Sequence, residues 1–236
     1  MKPIVLASAL ALAFLPSLAD AQPTDTPAPT KAAVPARPDP SDVLFDQRQM
    51  KNTQPGSTIR YAYVRRSGIT RGPYGPPLDD EIKLKIEPGK TAENRDIQVQ
   101  MFSGANRAPA GPFEDMPGNP ILPLFLENHL KGLAALLEAN PRYIKNAIRK
   151  GLRDKSTITA TKIDFKGRQI DGWKIVTSPF VGDPLTDRMR GFDKITYTFV
   201  TSPEVPGEIV SIEAQAKKPD GGELLEETVN YDQNAG

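Results

Sequence analysis

The sequence predicts an α+β fold, in which an antiparallel sheet of about eight strands carries an inserted helical pair and one further short helix on one face. Two patterns predict this class. Most apolar residues alternate with polar ones in short runs, which is the period of a half-buried β-strand, and short connections favour hairpins between the runs. Residues 119–152 differ, because their apolar residues recur at three- and four-residue steps, which is typical of helices.

The helical stretch divides into two helices at its two Asn-Pro pairs. Asn119-Pro120 and Asn140-Pro141 each place a capping side chain before a proline at the first helical position. The first helix carries an apolar stripe made of Leu122, Phe125, Leu126, Leu130, Leu133, Leu136 and Leu137. The second is amphipathic, with an apolar face of Ile144, Ala147, Ile148 and Leu152 and an arc of roughly 80° that holds Arg142, Lys145, Arg149 and Arg153. Gly151 is expected to weaken or end this second helix.

The alternation of apolar and polar residues predicts eight strands. They are centred on residues 59–63, 82–86, 97–101, 157–165, 170–176, 195–199, 209–216 and 225–231. Residues 104–118 are rich in Gly, Pro and Ala and are predicted to form a loop. A short helix is expected to begin at Asp183-Pro184 and to turn Leu185, Met189 and Phe192 inward.

The N-terminal residues predict export. Met1 and Lys2, the apolar run 4–15 and Ala19-Asp20-Ala21 match the three regions of a secretory signal peptide, so residues 1–21 are expected to be removed, leaving a soluble periplasmic protein. Residues 22–56 begin with a run rich in Pro, Ala and Thr and are expected to form a disordered linker, in which Val43-Leu44-Phe45 docks as a short helix. The folded domain is then residues 57–233, with the helical insertion at 120–152.

The amino-acid composition limits which partners, catalytic groups and metal sites the protein can have. The formal net charge is +1, so charge predicts no nucleic-acid partner. The chain has no cysteine, which excludes lipoprotein acylation, disulfides and a thiol nucleophile. His129 is the only histidine and is interpreted as a helix-surface or capped-core residue rather than a catalytic base. Turns and helix caps account for the carboxylates at 79–81, 114–115 and 183–193. We therefore expect a non-enzymatic protein without a cofactor or metal site.

The order of these elements resembles the periplasmic lipid carriers of the LolA, LolB and LppX type. The resemblance covers about residues 57–232 and depends on the strands at 82–86, 97–101, 170–176 and 195–199, with the helices at 120–152 as a lid. It implies a strongly curved half-barrel sheet that helices close over an apolar cavity. The absence of cysteine is a departure, since carriers of the LolB and LppX type are lipidated, and it implies a soluble shuttle or sensor.

Two functions are compatible with this sequence. The first is a binding protein for a lipid or other hydrophobic ligand, whose apolar pocket is lined by Leu126, Leu130, Leu133, Leu137, Ile175, Tyr197 and Phe199. Its basic residues Arg142, Lys145, Arg149 and Arg153 would then face an anionic head group, an anionic membrane surface or an acidic envelope protein, although a solvated outer face also explains them. The alternative is a structural or protein-interaction module of the cell envelope with a fully packed core and no ligand.

Overall fold

A single curved antiparallel sheet forms the frame of the computed structural model, which describes residues 37–69 and 72–234. Nine strands are present in the described residues: β1 (Thr58–Ser67), β2 (Leu78–Pro88), β3 (Arg95–Met101), β4 (Ala108–Met116), β5 (Thr157–Phe165), β6 (Arg168–Thr177), β7 (Thr196–Thr201), β8 (Ile209–Lys217) and β9 (Glu223–Tyr231). Their order is β4-β3-β2-β1-β9-β8-β7-β6-β5. The predicted signal peptide and residues 22–36 of the predicted linker lie outside the described residues.

The first and last strands meet in the middle of the sheet. β1 pairs with β9 in antiparallel register, with Tyr63 opposite Val229, and so joins the meander β1–β4 to the meander β5–β9. As a result β4 and β5, which the helical pair connects, are the two edge strands. The helices α1 (Ile121–Leu137) and α2 (Pro141–Asp154) therefore link opposite edges of the sheet.

The predicted start of the second helix is confirmed, and the first helix begins one residue later than predicted, at Ile121 with Pro120 as its N-cap. The Asn119 side chain accepts a hydrogen bond from the Ile121 N–H at 3.0 Å, and Asn140 accepts one from the Arg142 N–H at 2.9 Å. These side chains satisfy backbone donors that have no partner inside the helix. Neither helix, nor any other in the described ranges, is long and apolar enough to cross a membrane.

One predicted loop is wrong: residues 104–118 contain a short 3₁₀ turn and the edge strand β4. The alternation that marks the other strands is missing here, because β4 pairs only with β3 and none of its nine residues is buried. Pro109 and Pro112 are tolerated since an edge strand has one side without ladder hydrogen bonds.

The segment after Asp183 also differs from the prediction. Two 3₁₀ turns, Thr186–Arg188 and Phe192–Lys194, replace the expected short α-helix. Met189 and Phe192 are buried as predicted, whereas Leu185 is exposed.

The folded region begins before the predicted boundary at residue 57. A helical turn at Asp42–Asp46 confirms the short helix expected around Val43-Leu44-Phe45, and a 3₁₀ turn follows at Gln49–Asn52. Val43, Leu44 and Met50 are buried in the main core. Gln49 accepts a hydrogen bond from the Asn119 N–H at 2.8 Å, which ties this segment to the start of α1.

Gly151 does not end α2, which continues to Asp154. A methyl group at Gly151 would lie 2.5 Å from Cβ of Pro179 and 2.8 Å from its Cα. The glycine therefore allows the helix to approach the chain that follows β6.

Overpacking at Gly151→Ala costs about 1–3 kcal/mol, and the gain in helix propensity of about 1 kcal/mol offsets part of it. We therefore predict that the substitution lowers the free energy of unfolding by up to about 2 kcal/mol. Urea denaturation measures it, with Asn146→Ala on the exposed side of α2 as the matched control that adds propensity without a clash. Equal stability of the two variants would contradict the packing argument.

Candidate functional site

α1 lies on the sheet through the predicted apolar stripe. Phe125, Leu133 and Leu136 are buried in one core cluster with residues from β1, β2, β3 and β6–β9. Ile175 and Phe199, which the sequence assigns to the pocket wall, are cross-strand neighbours in that cluster and have no exposed surface. The region between α1 and the sheet is therefore filled by packed side chains.

A buried polar cluster joins α1 to the middle of the sheet. His129 Nδ1 lies 2.7 Å from Oε2 of Glu227 on β9, and His129 Nε2 lies 3.0 Å from the Tyr197 hydroxyl on β7. The Tyr63 hydroxyl on β1 donates to Oε1 of Glu227 at 2.6 Å. Both ring nitrogens of the buried histidine and both oxygens of the carboxylate thus have partners, which is the condition for burying such groups at low cost.

The surroundings of Glu227 keep it ionised. Burial acts to raise the pKa of Glu227, but the hydrogen bonds from His129 and Tyr63 and the nearby positive charge of Arg65 outweigh burial and hold the pKa below its ordinary value. Burial raises the pKa of the Tyr63 hydroxyl, and the neighbouring Glu227 raises it further, so Tyr63 serves as a hydrogen-bond donor at neutral pH. His129 is a buried anchor of α1, which agrees with the capped-core alternative.

Tyr74 extends this cluster towards the connection between β1 and β2. Its ring packs so closely on α1 that a methyl group at Gly132 would lie 2.8 Å from Cε1 of the tyrosine. Burial raises the pKa of the Tyr74 hydroxyl, the Glu227 carboxylate adds to the rise, and Arg65 opposes it. Among the described residues the Tyr74 hydroxyl has no hydrogen-bond partner.

An open groove lies on the other side of α1, between α1, α2 and the N-terminal segment. This helical groove has a volume of about 870 Å³. Its apolar lining is Phe45, Pro123, Leu126, Leu130, Ile148 and Leu152, and its charged lining is Asp46, Glu127, Lys145, Arg149, Lys150 and Arg153. Four cations therefore face two carboxylates around an apolar floor.

Most of the groove cations already have carboxylate partners. Lys145 Nζ lies 3.3 Å from Oε2 of Glu127, and Asp154 pairs with Lys150 at 2.7 Å and with Arg153 at 2.8 Å. Arg149 forms no ion pair with any residue that the structure describes. Arg149 is therefore the groove cation that can bind an anion without first breaking an ion pair.

The structure divides the predicted pocket residues between two places. Leu126 and Leu130 line the helical groove, whereas Leu133, Ile175, Tyr197 and Phe199 belong to the packed core, and Leu137 packs half-buried against that core. Three of the four predicted cations, Lys145, Arg149 and Arg153, line the groove. Arg142 is exposed on α2 and is not part of the groove lining.

Sequence reasoning missed Glu227, Tyr63 and Phe45. For Glu227 a signal existed, because Leu225, Glu227 and Val229 alternate along β9, so a carboxylate occupies an inward position of an apolar strand face. Its partner could not be read from the sequence, since His129 lies 98 residues away.

No family model matches this chain, and no curated protein matches it. Among solved structures, the chain is similar to the Mycobacterium tuberculosis lipoprotein LppX, with 8% sequence identity and a TM-score of 0.31 over 79% of this chain and 91% of that chain. A TM-score of this size supports no inference about function.

We predict that Glu227→Gln lowers the free energy of unfolding at neutral pH by about 1.5–3 kcal/mol, the contribution of a hydrogen bond to a charged group. A carboxyl whose pKa is lower in the folded state stabilises the fold above its unfolded pKa, and this stabilisation is lost as the pH falls through the folded pKa. The difference between wild type and variant should therefore shrink below the ordinary Glu pKa of 4.5.

Urea unfolding at a series of pH values tests this expectation. Glu226→Gln, next to it on β9, is the matched control and should show little pH-dependent difference from wild type. A pH-independent difference for Glu227→Gln would contradict the assignment of an ionised buried carboxylate.

Proposed function

We propose that the protein is an exported carrier that binds an anionic amphiphile, such as a fatty acid, in the helical groove. The observation that carries the proposal is an apolar floor bordered by Arg149, a cation without a partner among the described residues. The acyl chain would lie along Leu126, Leu130 and Ile148, and the head group would bind Arg149. The signal peptide expected at residues 1–21 supports a periplasmic location.

The groove has the size and chemistry of a small-molecule site. Its volume of about 870 Å³ falls within the usual range of about 300–1,000 Å³ for such sites. The mixture of apolar side chains with a few polar ones also fits, because the apolar surface supplies affinity and a placed charge fixes orientation. A carboxylate or phosphate can accept two parallel hydrogen bonds from an arginine, which favours Arg149 as the head-group residue.

The groove is favoured over the interior between α1 and the sheet. A ligand among Leu133, Ile175 and Phe199 would require α1 to leave the sheet, because these side chains have no exposed surface. That movement would also separate His129 from Glu227 and leave Oε2 of this buried carboxylate without its partner. The groove needs no such change.

A second function, a structural or protein-interaction module of the envelope, is supported by the same packed interior. In that case the apolar residues fill the core, the groove holds no ligand and the α2 cations are solvated. Native mass spectrometry of the purified mature protein distinguishes the two functions, because a carrier should retain a co-purifying amphiphile. Protein that is empty in repeated preparations, and that does not bind added fatty acid, would favour the second function.

We predict saturable binding of the fluorescent fatty acid cis-parinaric acid, and weaker binding of its uncharged methyl ester. Arg149→Gln should weaken binding of the acid about tenfold or more, because a hydrogen bond to a charged group contributes about 1.5–3 kcal/mol. The ester should bind wild type and variant equally. Arg142→Gln is the matched control, since Arg142 also lacks an ion pair within the described residues but does not line the groove.

The apolar floor is tested with a second pair of variants. Leu126→Trp places a larger side chain in the groove and should weaken binding of both probes, because the ring occupies space that the acyl chain needs. Leu124→Trp changes another half-buried leucine of α1 outside the groove lining and should have little effect. Equal binding by both tryptophan variants would reject the groove as the site.

A further inference from the structure

The exposed large apolar side chains in the described residues all lie beside α2. They are Phe45, 47% exposed, Val181, 56% exposed, and Leu185, 38% exposed. Phe45 belongs to the groove lining, whereas Val181 and Leu185 lie in the segment that follows β6. Single exposed apolar residues are ordinary, but their position next to one basic helix needs an explanation.

The segment that carries Val181 and Leu185 is held against α2. Lys155 Nζ donates to the Val181 carbonyl at 2.9 Å. The Tyr143 hydroxyl donates to Oδ1 of Asp183, and the same oxygen accepts the Leu185 N–H at 2.8 Å. Pro179 packs at Gly151 so closely that the helix has room for no side chain there. Contacts near both ends of α2 thus fix the two apolar side chains relative to the helix.

The cations of α2 lie between these apolar side chains. At about 100° per residue, Tyr143 and Gly151 face the 179–185 segment, and Ile148 and Leu152 face the core and groove. The remaining arc faces solvent and holds Arg142, Lys145, Arg149, Lys150 and Arg153. The result is a basic strip with Phe45 on one side and Val181 and Leu185 on the other.

Most carboxylates near this strip already have partners, whereas Asp46, which lines the groove next to Phe45, forms no ion pair with a described residue. Asp154 is paired with Lys150 and Arg153, and Asp183 accepts hydrogen bonds from Tyr143 and Leu185. Asp187 is followed directly by Arg188. Arg142 and Arg149, which form no ion pair within the described residues, outnumber Asp46, so the strip keeps a net positive charge.

We propose that this surface, defined by Phe45, Val181, Leu185 and the α2 cations, docks on an anionic lipid bilayer. Cations attract anionic head groups at the membrane surface, and single apolar side chains can enter the boundary between head groups and acyl chains. A protein partner fits less well, because the centre of a protein interface is a contiguous apolar patch depleted of charge. The purpose of the docking rests on the proposed function, since a carrier of amphiphiles has to collect or deliver them at a bilayer.

Vesicle flotation tests the docking surface. Wild type should partition onto vesicles of phosphatidylcholine mixed with phosphatidylglycerol, much less onto phosphatidylcholine alone, and less as salt is raised. Val181→Asp/Leu185→Asp should reduce partitioning onto the mixed vesicles about tenfold or more, because it removes two insertion points and places negative charge next to the bilayer. The matched control, Thr159→Asp/Ala160→Asp, makes the same charge change at exposed positions of β5 and should retain most of the binding.

The cationic part is tested with Arg142→Glu, which leaves the groove lining unchanged and should also weaken partitioning onto the mixed vesicles. Val181→Trp should bind at least as well as wild type and shift its fluorescence to the blue on these vesicles, as a tryptophan does at a membrane interface. Unchanged partitioning of the Val181/Leu185 variant, an equal loss in the β5 control, or no spectral shift would each overturn the proposal. Binding to polyglutamate without binding to vesicles would also overturn it, in favour of an acidic protein partner.

Failure of docking and failure of the proposed function can be told apart. All the docking variants keep the groove lining, so they should bind parinaric acid as wild type does, which also shows that they are folded. Vesicle binding without fatty-acid binding would reject the carrier function but keep the docking surface. Fatty-acid binding without vesicle binding would reject only the docking surface.

Discussion

The chain between β4 and β5 has to connect opposite edges of the sheet, and this requirement determines where the helices lie. At about 4.8 Å between neighbouring strands, nine strands would span roughly 38 Å if the sheet were flat. A helix with the 17 residues of α1 is only about 26 Å long, so one helix cannot make the connection across a flat sheet. Two helices on a curved sheet can. On this route α1 packs on the sheet, and α2 keeps one face exposed to solvent. The groove forms between the two helices.

The polar cluster around His129 fixes how α1 lies on the sheet. A shift of α1 by one turn, about 5.4 Å, would take the imidazole away from Glu227 and Tyr197. The imidazole and Oε2 of Glu227 would then lose these buried hydrogen bonds, and Glu227 would keep only its bond from Tyr63. Apolar contacts alone would tolerate such a shift better, because the leucines of α1 repeat along the helix. The cluster thus determines which side of α1 faces the sheet, and it leaves Leu126 and Leu130 for the groove.

Local signals were enough to predict most elements of this fold but not its site. The two Asn-Pro pairs and the alternation in β1–β3 and β5–β9 depend on neighbouring residues, so they could be recognised in the sequence. β4 could not, because an edge strand with Pro109 and Pro112 has neither a buried face nor a full hydrogen-bond ladder. The helical groove unites three segments, and the hydrogen bond between His129 and Glu227 joins residues that are far apart in the sequence. Such contacts depend on the order of the strands in the sheet, which the periodicity of apolar residues in the sequence does not reveal.

The proposed ligand groove and the proposed membrane-docking surface both depend on the different environments of the faces of α2. Ile148 and Leu152 face inward, Tyr143 and Gly151 contact the segment after β6, and the cations occupy the remaining arc. Arg149 lies where the groove meets this arc, so it can contact an amphiphile in the groove and a lipid head group outside it. An amphiphile that moves between protein and bilayer would then exchange one anionic partner of Arg149 for another. Because Arg149 is exposed, water would solvate the guanidinium between the two stages, so the exchange would cost little.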